Sequence, residues 1–419
     1  MKSQLSRTFL SLLLILLACQ VHAQQGSISI GGKITALEDQ QPVQRVSVTI
    51  NRKGIGTATN AGGMFALIIP AANLNDTLKV SCIGFKTQQL PIISLKNGEQ
   101  LNIVLEKNSI ELKEVSIEYH DAQKIIQKAI NRIPENYINH PHTIRGFYRM
   151  YTFDDEKPLE LSEAVFDVYN FGYADKRADL FRLIKARSAK NERDFNELEL
   201  GQKPNSVFEY DIVNHLYASG FLNDDGLKNH KFDVTGIVDI KGYQAYEIDF
   251  EEKPGSAGET FRGQMFIDTK TYAFIYFDFG LSHSGLEYPG KGSFINRSLM
   301  RMGEVNIEPT QDHSKVSYQE VGNKWVLSNV EGDDALHIQD SVLNHNFVAH
   351  VKFNYQVTAV DTIQTASFNS KIGRNENISD HENDENGKFW KDYNILLSDY
   401  DTEDIFKQIQ DINKAIKQK

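Results

Sequence analysis

Apolar and polar positions alternate in short runs through residues 26–107. Ile28, Ile30 and Ile34 alternate with polar or glycine positions. Val46, Val48 and Ile50 do the same, as do Phe65, Leu67 and Ile69, and later Leu101, Ile103 and Leu105. A period of two predicts strands with one buried and one wet face. Turn-forming residues separate the runs: Asp39 to Pro42, Asn60-Ala61-Gly62-Gly63, and Asn73 to Asp76. Short strands joined by regular turns predict a β-sandwich.

The period then changes. Ala122, Ile125, Ile126, Ala129, Ile130 and Ile133 form one stripe at helical spacing, with Asp121 placed to cap it and Pro134 to stop it. Residues 108 to 120 read as a linker strand. From 142 to 370 the pattern is mainly β, with strands expected at Phe147–Tyr151, Val165–Tyr169, Lys231–Val238, Tyr243–Phe250, Phe261–Asp268, Phe274–Phe279, Lys315–Glu320 and Val351–Val357. A helix is expected over Asn205–Ala218. Strands with short turns and helices near the start predict one large curved antiparallel sheet or half-barrel. Residues 371–389 are polar and charged. The chain closes on a helical stripe of Ile405, Ile409, Ile412 and Ile416, with Phe406 beside it.

The expected organisation is therefore a signal peptide at 1–23, a sandwich at 26–107, a linker strand and helix at 108–141, a β-rich domain at 142–370, and a polar loop with a C-terminal helix at 371–419. The fold class is mainly β.

The first residues carry an export signal. Lys2 and Arg7 precede the apolar run Phe9 to Ala18, which is too short to span a bilayer. Val21-His22-Ala23 fits the small-x-small cleavage rule, so the mature chain would begin at Gln24, with Ala23 at the critical site. A second reading stays open. Leu16-Leu17-Ala18-Cys19 resembles a lipobox, in which Cys19 would be lipidated and would tether the chain to a membrane.

Cys19 and Cys82 are the two cysteines. With Cys19 removed or lipidated, Cys82 has no partner within the chain for a disulfide. Its alternating setting, Leu78-Lys79-Val80-Ser81-Cys82, predicts a small buried hydrophobe. A net charge of -11 opposes phosphate backbones, so nucleic acid is not an expected partner.

The sandwich segment resembles the carboxypeptidase-regulatory-like domain, a transthyretin-like β-sandwich common in envelope proteins of Bacteroidetes. The residues that carry the resemblance are Gly32-Lys33-Ile34, Pro42-Val43, Val46-Ser47-Val48, Gly56-Thr57, Thr59 to Phe65, Pro70 and Val80 to Phe85. That family often has Asp where Ala36 and Asn60 stand here, which makes a metal role in this domain less expected. The resemblance implies an accessory module without catalytic residues. Further on, Gly263-Gln264-Met265-Phe266-Ile267-Asp268-Thr269-Lys270-Thr271, with Tyr246 to Phe250 upstream, resembles envelope proteins with lipoprotein-carrier-like half-barrels. This implies a concave face that cradles an apolar group or a partner strand.

Catalytic motifs are not found. The sequence holds no HExxH. His140 and His142 flank Pro141, in a segment expected to be a loop. Gly280-Leu281-Ser282-His283-Ser284-Gly285 has its second glycine one place too far for a nucleophile elbow and reads as a turn. Gly54-Ile55-Gly56 and Gly290-Lys291-Gly292 lack the rest of a phosphate-loop pattern. Glu382 to Gly387 resembles a calcium loop, but Tyr393 stands where its last carboxylate should be. No catalytic, cofactor or metal residue is therefore named. The expected function is a non-enzymatic envelope binding or assembly protein, in the periplasm or on the periplasmic face of the outer membrane. Its expected partner is an envelope protein or an apolar ligand. Two alternatives stand beside it: an envelope hydrolase acting on glycan or peptide through carboxylates that spacing cannot select, and a structural spacer.

Overall fold

The computed structural model describes residues 26–108, 121–193, 204–256, 258–288, 305–340, 345–363, 372–373, 376–381 and 389–417. The signal residues Cys19, Ala23 and Gln24, the linker stretch 109–120 and the acidic run 382–387 lie outside them.

Seven strands build the N-terminal sandwich: β1 (Ile28–Ala36), β2 (Ser47–Ile50), β3 (Ile55–Ala58), β4 (Met64–Ile69), β5 (Thr77–Ser81), β6 (Gln88–Pro91) and β7 (Glu99–Leu105). They form two sheets, ordered β4-β1-β7 and β3-β2-β5-β6. The alternating residues Ile34, Val46, Val48, Phe65, Leu67, Leu78 and Val80 are fully buried between them. The turn before β4 depends on Gly63, at φ +72°, where a Cβ would lie 2.5 Å from the Ile34 carbonyl oxygen. Asn60 closes that turn by accepting from Met64 N at 2.9 Å.

Eleven further strands form one antiparallel sheet: β8 (His142–Asp154), β9 (Lys157–Asn170), β10 (Leu180–Lys190), β11 (His230–Ile240), β12 (Tyr243–Glu252), β13 (Phe261–Asp268), β14 (Phe274–Leu281), β15 (Val305–Gln311), β16 (Ser314–Val321), β17 (Lys324–Asp340) and β18 (His345–Asp361). Their order is β10-β9-β8-β18-β17-β16-β14-β13-β12-β11, with β15 also paired to β17. Phe166 and Phe181, near one edge, pack on Phe208, while Phe250, Phe261 and Phe279, near the other, pack on Phe221. Both groups belong to one core, so the sheet curves around the segment that carries Phe208 and Phe221. Gly146 lets Tyr355 lie flat in this core, since a Cβ there would sit 2.1 Å from the Tyr355 ring.

The helix Ala122–Asn131 forms as its stripe predicts, and the Asp121 carboxylate accepts from Lys124 N at 3.2 Å. The helix expected over Asn205–Ala218 is shorter. It runs Pro204–Glu209, and a single 3-10 turn follows at Leu216–Ala218. Tyr210, Ile212 and Val213 are buried in the concave core without helical geometry, and their apolar character comes from that burial. The C-terminal helix, Thr402–Lys417, buries Ile405, Phe406 and Ile409 against Tyr151 and Leu161 on the outer face of β8 and β9, while Ile416 is exposed. Among the described residues no helix is long and apolar enough to cross a membrane.

Candidate functional site

A single cross-strand row of polar side chains crosses the outer face of the large sheet. The register pairs Asp233 with Asp249, Asp249 with Gln264, Gln264 with Asp278, Asp278 with Lys315, and Lys315 with Glu331. It continues from Glu331 to Asn354, Arg149, Glu163 and Arg187. Their strand neighbours, among them Phe232, Ile248, Met265, Phe277, Val330, Phe353 and Met150, belong to the concave core. The pleat therefore turns all ten row residues outward. Directly opposed residues on neighbouring strands lie about 5 Å apart, so the row acts as one continuous strip.

Half of this strip is covered by the chain itself. The buried Glu163 carboxylate accepts from Arg149 Nε at 2.5 Å and from Arg187 Nε at 2.6 Å. Arg149 Nη1 donates to the Leu396 carbonyl at 2.8 Å, and Arg187 Nη1 to Glu403 at 2.7 Å. Glu331 is paired with Arg45 of the sandwich. Two rows away, beyond Phe147 and Val165, Asp167 takes a bidentate pair from Arg145 and a further bond from Arg182. Burying these charges is tolerable because each carboxylate is met by guanidinium donors.

The stretch 394–399 also stitches the sandwich to this face. The Asn394 side chain bonds both backbone groups of Ile68 on the edge strand β4, accepting at 2.7 Å and donating at 3.1 Å. Thr57 Oγ1, on β3 at an edge of the second sandwich sheet, donates to the Ile395 carbonyl at 3.2 Å. Ala61 N donates to Asp399 at 2.6 Å.

The other half of the strip is open. It floors a hollow of about 750 Å³ lined by Asp233, Asp249, Glu251, Asp278 and Asp312, with Arg262, Gln264 and His313 among them. Gln264 Nε2 donates to Asp249 at 2.9 Å. Asp278 is partly buried, which raises its pKa. The His313 hydrogen bond at 2.6 Å and the Lys315 charge outweigh this and hold it below the usual carboxylate range. Glu247, next to the hollow, is pushed up by burial and by the like charge of Asp249. A second hollow, of about 470 Å³, shares His313 with the first and continues under the sandwich and the 394–400 stretch.

The N-terminal sandwich is a CarboxypepD_reg-like domain. The matching family model spans residues 30–117, about a fifth of the chain. No curated protein matches the chain. Among solved structures, a domain named for outer membrane lipoprotein sorting from Vibrio parahaemolyticus is 7% identical, covers 59% of this chain and 95% of its own, and has a TM-score of 0.26. A LolA superfamily protein from Nitrosomonas europaea is 11% identical over 57% of this chain and 92% of its own, at 0.24. A DUF1329 family protein from Desulfovibrio piger is 8% identical over 59% and 95%, at 0.23. Likeness at these scores assigns neither site nor function.

The CarboxypepD_reg-like domain keeps Cys82 half-buried against its core, and burial pushes the thiol up. Ser282 caps the short helix His283–Glu287 and donates to Glu252 at 2.8 Å, while exposed His283 faces Glu287. The serine and its neighbour thus point to different partners. His140 is exposed and His142 buried, with ring centres 6.5 Å apart, and His142 starts β8 rather than lying in a loop. Among the described residues no three metal-ligating side chains converge.

One buried group escaped the sequence reading. Asp211, on the segment filling the concave face, accepts from Tyr318 Oη at 2.8 Å and is pushed up to about 6 by burial. Its signal, an acidic residue between Tyr210 and Ile212 in the largely apolar run Val207–Val213, is legible only once that run is known to be core.

Proposed function

We propose that this chain is a non-enzymatic binding or assembly protein of the cell envelope that holds an envelope protein on the open half of its outer face. The observation that carries this reading is the half-covered polar row. Where the chain's own elements meet the row, each acidic member is matched by guanidinium groups. Where they stop, Asp233, Asp249 and Asp278 line an open hollow without guanidinium partners among the described residues: Asp233 pairs with Lys231, Asp278 with His313 and Lys315, and Asp249 accepts from the Gln264 amide. Charge complementarity of that kind favours a partner presenting Lys or Arg, with binding that weakens as salt rises.

The concave face supports the apolar-ligand reading less well. Phe208, Tyr210, Ile212 and Phe221 already fill it, so a ligand there has to displace the 207–222 segment. A hydrolase asks for one carboxyl poised as an acid opposite another. In the hollow, Asp278 is instead held ionised by His313 and Lys315. Export rests on the residues before Gln24, and places the protein in the periplasm or, with Cys19 lipidated, at a membrane surface.

A photo-crosslinking residue at Gln264, expressed in the native host, tests the reading. One discrete adduct is expected, with none from the same residue at exposed Ile93 on the sandwich. No adduct at Gln264, or equal labelling at both positions, overturns it.

A further inference from the structure

The second hollow lies where three parts of the molecule meet: the sandwich, the outer face of the sheet, and the 394–400 stretch. Its volume of about 470 Å³ is within the range of small-molecule sites, which favour such junctions. Its walls are chemically mixed. Lys315 and Lys352 bring ammonium donors, and their ion pairs with Asp278 and Asp333 are long, at 3.5 and 3.6 Å, which leaves donor capacity free. Asp333 and Asp399 bring acceptors. Asn354 Oδ1 lies beneath this wall, out of solvent reach, and has no hydrogen-bond partner among the described residues, so its amide has to turn toward the hollow to be satisfied. At the rim stands Tyr400, whose ring packs against Tyr151 and Phe153 at 5.1 and 5.3 Å and remains 44% exposed.

Several ligand classes fit these walls poorly. An apolar molecule would strip water from charged walls without replacing its hydrogen bonds. A phosphate would meet Glu331, Asp333 and Asp399, and a simple cation would meet Arg45, Lys315 and Lys352. An extended peptide would pair with the edge strands β3 and β4, but Ile395 and Asn394 already bond there. A hydroxyl both donates and accepts, so a ring bearing several hydroxyls can satisfy ammonium groups, carboxylates and the Asn354 amide together. The apolar C–H face of such a ring suits the half-exposed Tyr400.

We infer that this hollow binds a short saccharide, held between Lys352, Asp333 and Asn354 and stacked on Tyr400. It adjoins the acidic hollow, sharing His313 with it, and does not depend on a protein partner there. Titration calorimetry of the full chain with cellotriose, maltotriose and chitotriose tests it. At least one is expected to bind, with affinity falling about tenfold or more in Tyr400→Ala and in Asp333→Ala. Asp249→Asn, in the acidic hollow, should leave that affinity unchanged. Unfolding midpoints of all three variants check that the fold is intact. No heat from any of the three sugars overturns the inference, as does binding that ignores both Tyr400→Ala and Asp333→Ala. Failure of the Gln264 crosslink leaves it standing.

Discussion

Arg45, at the tip of a sandwich loop, pairs with Glu331 in the middle of the eleven-stranded sheet. Burial pushes Glu331 up, and Arg45 is the largest of the charges that pull it back. The pair fastens two domains through one carboxylate, and it is the point where the covered half of the polar row ends.

Arg45→Ala should therefore leave a largely buried carboxylate unpaired. Because Arg45 itself is half exposed, the loss should be about 1–2 kcal/mol, less than for a fully buried pair. Glu331→Gln in the same chain should recover most of it. Denaturant unfolding of the two single variants and the double variant measures the coupling. Additive effects would show that the pair does not fasten the domains.

Two buried groups set opposed pH dependences. Folded Asp211 titrates near 6, above its ordinary 3.8, chiefly through burial. The folded chain holds that proton more tightly than the unfolded one, so acidification from pH 7 towards 4 adds about 3 kcal/mol. His142, lowered by burial from 6.5 to about 4, does the reverse. The unfolded chain takes its proton first, and the same acidification removes about 3 kcal/mol. Asp211→Asn should make the unfolding midpoint fall between pH 6.5 and 4, and His142→Gln should make it rise. If both variants track the wild type, neither group titrates as described.

Asn394→Ala should free both backbone groups of Ile68 at the sandwich edge. A loss of about 1–2 kcal/mol is expected, together with faster hydrogen exchange of the Ile68 amide. Unchanged exchange at Ile68 would mean that the stretch does not protect this edge.

Gly146→Ala should strain the core through contact with Tyr355 rather than through the backbone, since Gly146 is not among the positive-φ glycines. About 1–3 kcal/mol is the expected cost, read from the denaturant midpoint. Pairing it with Tyr355→Leu should recover part of that loss.

Much of the fold was legible from local pattern. Ile34, Val48, Leu67 and Val80 announce the sandwich because a two-layer sheet buries every second side chain, and that rule acts between neighbours in the chain. Asp121 and the Ile125–Ile126–Ala129 stripe announce the first helix for a similarly local reason. Strands β10, β15 and β17 gave weaker signals. Their charged residues, such as Arg187 and Glu331, read as solvated until partners distant in sequence cover them.

What the sequence alone determined is therefore the mainly β class, the sandwich with its family resemblance, and the helical character of the termini of the β-rich region. These follow from periodicity and turn chemistry within a few residues. Only the tertiary structure decided that Asp233, Asp249, Gln264, Asp278, Lys315, Glu331, Asn354, Arg149, Glu163 and Arg187 form one strip, covered at one end and open at the other. Strand register sets that row, and register is a property of pairings between residues up to hundreds of positions apart, which no local pattern encodes.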